Sequence, residues 1–347
     1  MKFTTCTADL DHALRAIAPA IGVRSSHPIL DCCLIQANAD GTAVVTGFNL
    51  DLGITCTIPA TVTTAGAVAL PYRLLAGLVS RLEGDEAVTL ADGALSASSG
   101  SYSLAAQSAE DYPALPAVEA AETQLELAGA VRACMVAVST DAAKQMLTGI
   151  HLGDGHLSAT DGHRLMRCAV DLPDGLAMTL PATTMKLLAD HSCSVVAAKG
   201  QAVITTDEGI RVYSRVLDGT YPNVAQLIPA SFEHTMIFNR HRLTRALERV
   251  AIIAEATNGV VKLTAADGKL TITAEADANN GRESLAYDGT GNGMWAFNVA
   301  YLLDGLKAFR SAESVELNCN AATTPVVLRP AGDDGRTYLV MPVQVRS

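Results

Sequence analysis

Val260-Val261-Lys262-Leu263-Thr264-Ala265-Ala266-Asp267-Gly268-Lys269-Leu270-Thr271-Ile272-Thr273 alternates apolar and polar side chains on both sides of an Asp-Gly pair. Successive side chains of a strand point to opposite faces, so this period of two predicts a half-buried hairpin turning at Asp267-Gly268. The same pair stands at Asp154-Gly155, 113 residues earlier, and at Asp40-Gly41, a further 114 back. Two other landmarks recur in step with it. A short strand entering an apolar helix reads at Leu70-Pro71, Leu180-Pro181 and Phe297-Asn298. A strand leading into a Tyr-Pro corner reads at Asp111-Tyr112-Pro113 and Thr220-Tyr221-Pro222, and the third copy closes at Thr337-Tyr338-Leu339-Val340-Met341-Pro342. Three sets of landmarks in one order are the mark of an internal repeat.

Between the landmarks the period changes. Leu10, Leu14 and Ile17, then Leu127, Val131, Met135 and Val138, then Leu243, Leu247, Val250 and Ile253 recur at spacings of three and four. Such spacings put apolar groups on one face of a helix. A second helix is predicted over 72–81, 183–191 and 299–309, followed by further short strands such as Ile210-Arg211-Val212-Tyr213-Ser214-Arg215-Val216. Each pass is helix, strands, helix, strands in roughly 115 residues, a comfortable single-domain size. The expectation is an α+β protein of three repeated domains, 1–118, 122–231 and 232–347, with short linkers at 117–123 and 230–235.

Bulk properties agree with a folded chain. Its 347 residues are 49% hydrophobic and 18% charged, which is ample material for cores and unlike a disordered composition. No run approaches the ~18 uncharged apolar residues of a membrane span. Met1-Lys2-Phe3-Thr4-Thr5-Cys6 lacks the apolar block of a signal peptide, so a cytoplasmic location is expected. The eight cysteines (6, 32, 33, 56, 134, 168, 193 and 319) form no Cys-x-x-Cys pair, and they read as small core residues in a reducing compartment. No metal or cofactor is expected.

The net charge of −11 argues at first sight against nucleic acid, but where the charge lies decides what a surface binds. Over the helical segments 8–20, 71–81, 125–138, 181–191, 239–255 and 298–310 there are 11 Lys or Arg against 7 Asp or Glu. The rest of the chain is strongly acidic. The excess leans on the third domain, where Arg240, Arg242, Arg245 and Arg249 fall within ten residues. A weakly positive helical layer on an acidic body suits a surface that holds a polyanion without gripping it, since each neutralised phosphate adds affinity through counterion release.

The stretch Thr160-Asp161-Gly162-His163-Arg164-Leu165 resembles the signature of the bacterial DNA polymerase III beta subunit, the sliding-clamp family. Pro28-Ile29-Leu30, the segment from Thr46-Gly47-Phe48 to Ile54, Asp218-Gly219-Thr220-Tyr221-Pro222, the segment from Phe297-Asn298 to Asp304, and Tyr338-Leu339-Val340-Met341-Pro342 follow in that family's order. The resemblance spans essentially the whole chain. It implies the DNA-clamp (processivity) fold: two protomers joined head to tail into a ring of six domains, with helices lining the hole and sheets outside. It implies no catalytic site. The implied partners are double-stranded DNA without sequence preference, the polymerase III alpha subunit, the clamp loader delta subunit, other proteins with a clamp-binding motif, and a second copy of the chain.

The resemblance also implies sites. A pocket for partner peptides falls on Leu147, Thr160, Gly162, His163, Arg164, Leu165, Pro222, Gln226, Leu227, Val326, Leu339, Met341, Pro342, Val343, Gln344 and Val345. Its leucines, methionine and prolines make an apolar cleft, Gly162 admits a peptide backbone, and His163 and Arg164 orient polar or acidic groups. DNA contacts fall on Arg24, Arg73, Gln145, Met146, Asn298 and Tyr301, and the protomer interface on Tyr102, Leu104, Ile252 and Ile253. The chain departs from the family at its end, Val343-Gln344-Val345-Arg346-Ser347, where Met-Arg-Leu is common. It departs again at Gln226, where a basic residue is frequent, and at Gln145-Met146, which replaces a pair often aromatic.

Asp161-Gly162-His163 can be taken for an acid orienting a general base, yet no Gly-x-Ser-x-Gly elbow supplies a nucleophile. No phosphate loop of the Gly-x-x-x-x-Gly-Lys type occurs, and Gly289-Thr290-Gly291-Asn292-Gly293 is expected to be a hairpin loop. The eight histidines lack His-x-x-x-His spacing, although His151 and His156 flank a turn beside Asp154. The remaining rival is a structural repeat or scaffold protein that binds no DNA.

Overall fold

A computed structural model of the chain describes residues 1–22, 27–118, 122–198, 200–333 and 335–344. Arg24 and Val345 lie outside the described residues. The chain forms two compact units, Met1–Glu126 with His191–Val216, and Leu127–Asp190 with Leu217–Ser347. Residues of the central repeat thus contribute to both.

In the first unit an eight-stranded antiparallel sheet takes Thr123–Leu125, Cys193–Ala198, Gln201–Thr206 and Arg211–Arg215 from one repeat and continues through Leu52–Pro59, Thr42–Phe48, Cys32–Ala37 and Gly66–Pro71 of another. The join is the pairing of Arg211–Arg215 with Leu52–Pro59, Val212 opposite Ile54. A five-stranded sheet built around Lys2–Cys6 and Ala87–Ala91 completes the unit. Two helices, α1 (Thr7–Ile17) and α2 (Tyr72–Val79), pack together. Leu10, Ala13, Leu14 and Ile17 are buried on one face of α1, the face that the spacing predicts.

The second unit repeats the device. A nine-stranded sheet runs Met178–Pro181, Gly149–Gly153, His156–Thr160 and Arg164–Ala169, then crosses to Arg336–Val340, Val326–Pro330, Ser314–Cys319, His234–Asn239 and Asp288–Thr290. Leu165 faces Leu339 across the join. A four-stranded sheet holds Asn279–Ala286, Lys269–Ala276, Val260–Ala266 and Gly293–Asn298. Among the described residues its α-helices are α3 (Ala128–Cys134), α4 (Ala182–Leu187), α5 (Arg240–Ala254) and α6 (Val299–Ala308). α3 packs on both α4 and α6, and α5 packs on α6. Asn239 and Asn298 cap α5 and α6, their side-chain oxygens accepting from Arg242 N and Ala300 N.

The Asp-Gly turns differ in detail. Asp154-Gly155 and Asp267-Gly268 have positive φ at both residues and make two-residue turns, closing Gly153 on His156 and Ala266 on Lys269. At the first copy only Gly41 is left-handed, and the loop widens to begin at Asn38, which takes part in hydrogen bonds with Thr42 and Gly41.

Three expectations need correction. The helix expected over 125–138 stops at Cys134 and continues as a tighter turn at Met135–Ala137. Gly289–Gly293 is no hairpin loop: Asp288–Thr290 pairs with His234–Asn239 in the nine-stranded sheet, whereas Gly293–Asn298 pairs with Val260–Ala266 in the four-stranded one. The glycines therefore carry the chain from one sheet to another, and a Cβ at Gly289 would collide with the Thr235 carbonyl. On α5 the buried face runs from Val250 to Ala254 and leaves Ile253 only partly buried.

Candidate functional site

In the second unit the turn 160–164 is wound by its own side chains. Asp161 Oδ1 accepts from the backbone N–H of His163 at 2.8 Å and of Arg164 at 3.0 Å. Thr160 Oγ1 accepts from Gly162 N and donates to the Arg164 carbonyl at 2.6 Å. Gly162 sits at φ +95°, a conformation that costs other residues steric strain. This turn is the local reason for the Thr-Asp-Gly sequence. Both Asp161 oxygens are engaged, Oδ2 by Arg164 Nε at 2.9 Å, so the acid serves the turn and the arginine rather than the His163 ring.

Arg164 projects towards α6. Its Nη1 donates to Asp304 Oδ2 at 2.5 Å, and its guanidinium lies 4.5 Å above the Tyr301 ring, against which His163 also stacks. Burial pulls the Arg164 guanidinium down, but the hydrogen bond to Asp304, with Tyr338 and Asp161 adding to it, outweighs this and leaves it raised. Tyr301 is anchored in turn, its carbonyl accepting from the buried Tyr338 phenol at 2.8 Å.

Beside the turn lies a small apolar cluster of buried Leu165, Tyr221, Val224, Val327 and Leu339. Met146, Leu147, Ile228 and Phe232 pack against it while partly exposed. The C-terminal segment passes along the turn: Met341 N donates to the His163 carbonyl at 2.9 Å and Val343 N to that of Ala296 at 2.7 Å. Leu227, Met341 and Val343 are apolar yet exposed.

Against the expected pocket, the structure gathers Leu147, Thr160, Gly162, His163, Arg164, Leu165, Leu339 and Met341 around this turn and cluster. Pro222, Gln226 and Leu227 follow Tyr221 at the surface, and Pro342, Val343 and Gln344 continue from Met341. Val326 is fully buried. Two residues expected to touch DNA lie beside the expected pocket residues: Met146 packs on the cluster and Tyr301 under Arg164. Asn298 Oδ1 is used as a helix cap. Arg73 and Gln145 are exposed. Asp304, Ile228 and Phe232 were not anticipated, although Asp304 lies within a stretch that carries the resemblance. Of the interface candidates, Tyr102 and Ile252 are exposed, and Leu104 and Ile253 are partly so.

His151 and His156 bind differently from a metal pair. His151 stacks on Tyr221 at 4.7 Å with Nδ1 3.0 Å from Thr179 Oγ1, and His156 Nδ1 is 2.6 Å from its neighbouring Asp154 carbonyl.

Comparison with known proteins accounts for the three repeats. Family models of the DNA polymerase III beta subunit match in order: the N-terminal domain at residues 1–116, the central domain at 123–223 and the C-terminal domain at 225–344. The beta sliding clamp of Synechococcus elongatus is 36% identical, with both chains covered in full. That of Synechocystis is 35% identical over 99% of this chain and all of the relative. The crystal structure of the Bacillus subtilis DNA polymerase sliding clamp superposes with a TM-score of 0.91 at 25% identity, covering both chains completely. Three clamp domains in one chain define a DNA sliding clamp. The chain belongs to the DNA polymerase III beta subunit family. A scaffold that binds no DNA is not favoured.

Proposed function

We propose that two copies of this chain, each with domains at 1–118, 122–231 and 232–347, close head to tail around duplex DNA and tether the replicative polymerase in the cytoplasm. The ring performs no chemistry of its own. Docking would use the cleft at turn 160–164, where the apolar cluster, Leu227, Met341 and Val343 offer a seat for the anchoring side chains of an extended peptide. The alpha subunit of the polymerase, the delta subunit of the clamp loader and other clamp-binding proteins would compete for it. No helix among the described residues is long and apolar enough to cross a membrane.

One observation carries this reading. Among the described residues, five of the eight exposed large apolar side chains fall on the cleft (Leu227, Met341, Val343) or on the expected protomer contact (Tyr102, Ile252), the others being Leu50, Leu74 and Met294. Exposed apolar surface of this kind marks places where other chains bind. The test is retention on DNA after loading. The protein is expected to stay on nicked circular DNA at moderate salt and to leave when the circle is cut. Equal retention on both forms would replace encirclement by ordinary binding.

A further inference from the structure

The device that winds the turn 160–164 stands a second time, in the first unit, at residues 48–52. Asn49 Oδ1 accepts from the backbone N–H of Asp51 at 3.2 Å and of Leu52 at 2.9 Å, as Asp161 Oδ1 does from His163 and Arg164. The strand that follows joins its neighbour in the same register. Leu52 stands opposite Ser214 as Arg164 stands opposite Val340, and Arg215 N donates to the Asp51 carbonyl as Met341 N does to that of His163. The Tyr-Pro corners match too, the Tyr112 phenol donating to the Thr46 carbonyl and the Tyr221 phenol to that of Ser158. Each copy is a turn, a strand join and a corner around an apolar cluster, to which Phe48, Tyr112 and Leu115 belong in the first.

An open cleft of about 440 Å³ lies at this second junction, walled by Phe48, Leu50, Pro113 and Tyr213. Leu50 takes the place of Gly162 and keeps its left-handed backbone, at φ +79° against +95°. That conformation costs a leucine steric strain that a glycine escapes. Internal packing does not account for it, because the Leu50 side chain is 52% exposed. A strained backbone that holds a large apolar group at the mouth of a cleft points to binding. Among the described residues the charged groups lining the cleft are Asp51 and Arg215, paired at 3.1 Å. Their charges cancel. On a chain of net charge −11 the cleft is thus a neutral spot, with no surplus cation for a phosphate.

We propose that this junction is a second peptide seat, for an uncharged extended segment of another protein with aliphatic side chains at alternate positions. The proposal rests on the reading of turn 160–164 as a peptide cleft and extends it to the first unit. Alternate side chains of an extended chain fall on one side, so two aliphatic groups enter the cleft together, against Leu50, Pro113 and Tyr213. The pairing of Asp51 with Arg215 sets the charge of the occupant, since a charged side chain entering here finds its opposite already engaged. One protomer then carries two seats of one construction and different selectivity. The seat at 160–164 has exposed Met341 and Val343 beside a glycine, and the seat at 48–52 has Leu50 where that glycine stands.

The test uses the full-length protein and a capped peptide, acetyl-Ser-Leu-Ser-Leu-Ser-amide, with a photoreactive diazirine on one leucine. Mass spectrometry then maps the labelled positions. Labelling is expected at 48–50 and at 113–116. Leu50→Gly keeps the turn's backbone without strain, and thermal unfolding checks that it is folded. It should lower the labelling of 113–116 about tenfold, the effect of losing one leucine-sized apolar contact. Leu50→Asn, whose side chain also tolerates that backbone, should do the same. Raising the salt should leave the labelling unchanged, because the seat carries no net charge. Absence of label at 113–116, label there that neither variant reduces, or label lost with salt overturns the proposal. Binding of polymerase-derived peptides at turn 160–164 is scored separately by anisotropy, so failure of that reading would show there and not in the labelling of 113–116.

Discussion

The Arg164 guanidinium and the Asp304 carboxylate meet at 2.5 Å although 140 residues separate them in sequence. Their pairing joins the turn 160–164 to α6. Arg164 is mostly buried and also bonded to Asp161, so it is held flat on Tyr301 beside the proposed cleft instead of reaching freely into solvent. Two acids on one arginine leave this part of the wall with no surplus positive charge.

Asp304→Ala should therefore weaken binding of polymerase-derived peptides by about fivefold. Loosening Arg164 makes peptide binding bear the cost of ordering it, an effect of about 1 kcal/mol per side chain. Asp304→Asn, which keeps an acceptor, should lose less. Fluorescence anisotropy with a labelled peptide checks this, and identical affinities in the parent protein and Asp304→Ala would dismiss the latch.

Ile252 stands on the last turn of α5 with most of its surface exposed, and Ile253 beside it touches the strand at Gly281. Ile252→Asp with Ile253→Asp should halve the mass seen by light scattering, because a charge placed in an apolar contact is left without a partner. Ile252 forms no part of the core of its own chain, so the single variant Ile252→Asp should leave the protomer folded, as thermal unfolding checks. A mass that does not change would remove these residues from the interface.

Burial lowers the His151 imidazole below its usual 6.5, with Asp154 only partly opposing the shift. The unfolded chain then binds more protons than the folded one between the depressed value and 6.5. The contribution is complete above about pH 6.5 and is lost as pH falls through the folded value. The melting temperature is expected to drop between pH 7.5 and 5.5, and His151→Phe, which preserves the stack on Tyr221, should flatten that drop. A variant with the parent's full pH dependence would assign the effect to other groups.

The sequence by itself determined the architecture: three passes of one pattern, the buried faces of α1 and α5, and the turns at Asp154-Gly155 and Asp267-Gly268. These were legible because periodicity and turn chemistry are local properties of a chain. Tertiary structure alone decided which distant segments meet. It set Gly289–Gly293 between two sheets, drew Met146 to the apolar cluster and Tyr301 under Arg164, engaged three of the four α5 arginines with Glu248, Glu283 and a carbonyl, and placed Asp304 on Arg164. Partners far apart in sequence are selected by packing and pairing of the whole fold, and no window of neighbouring residues contains that choice.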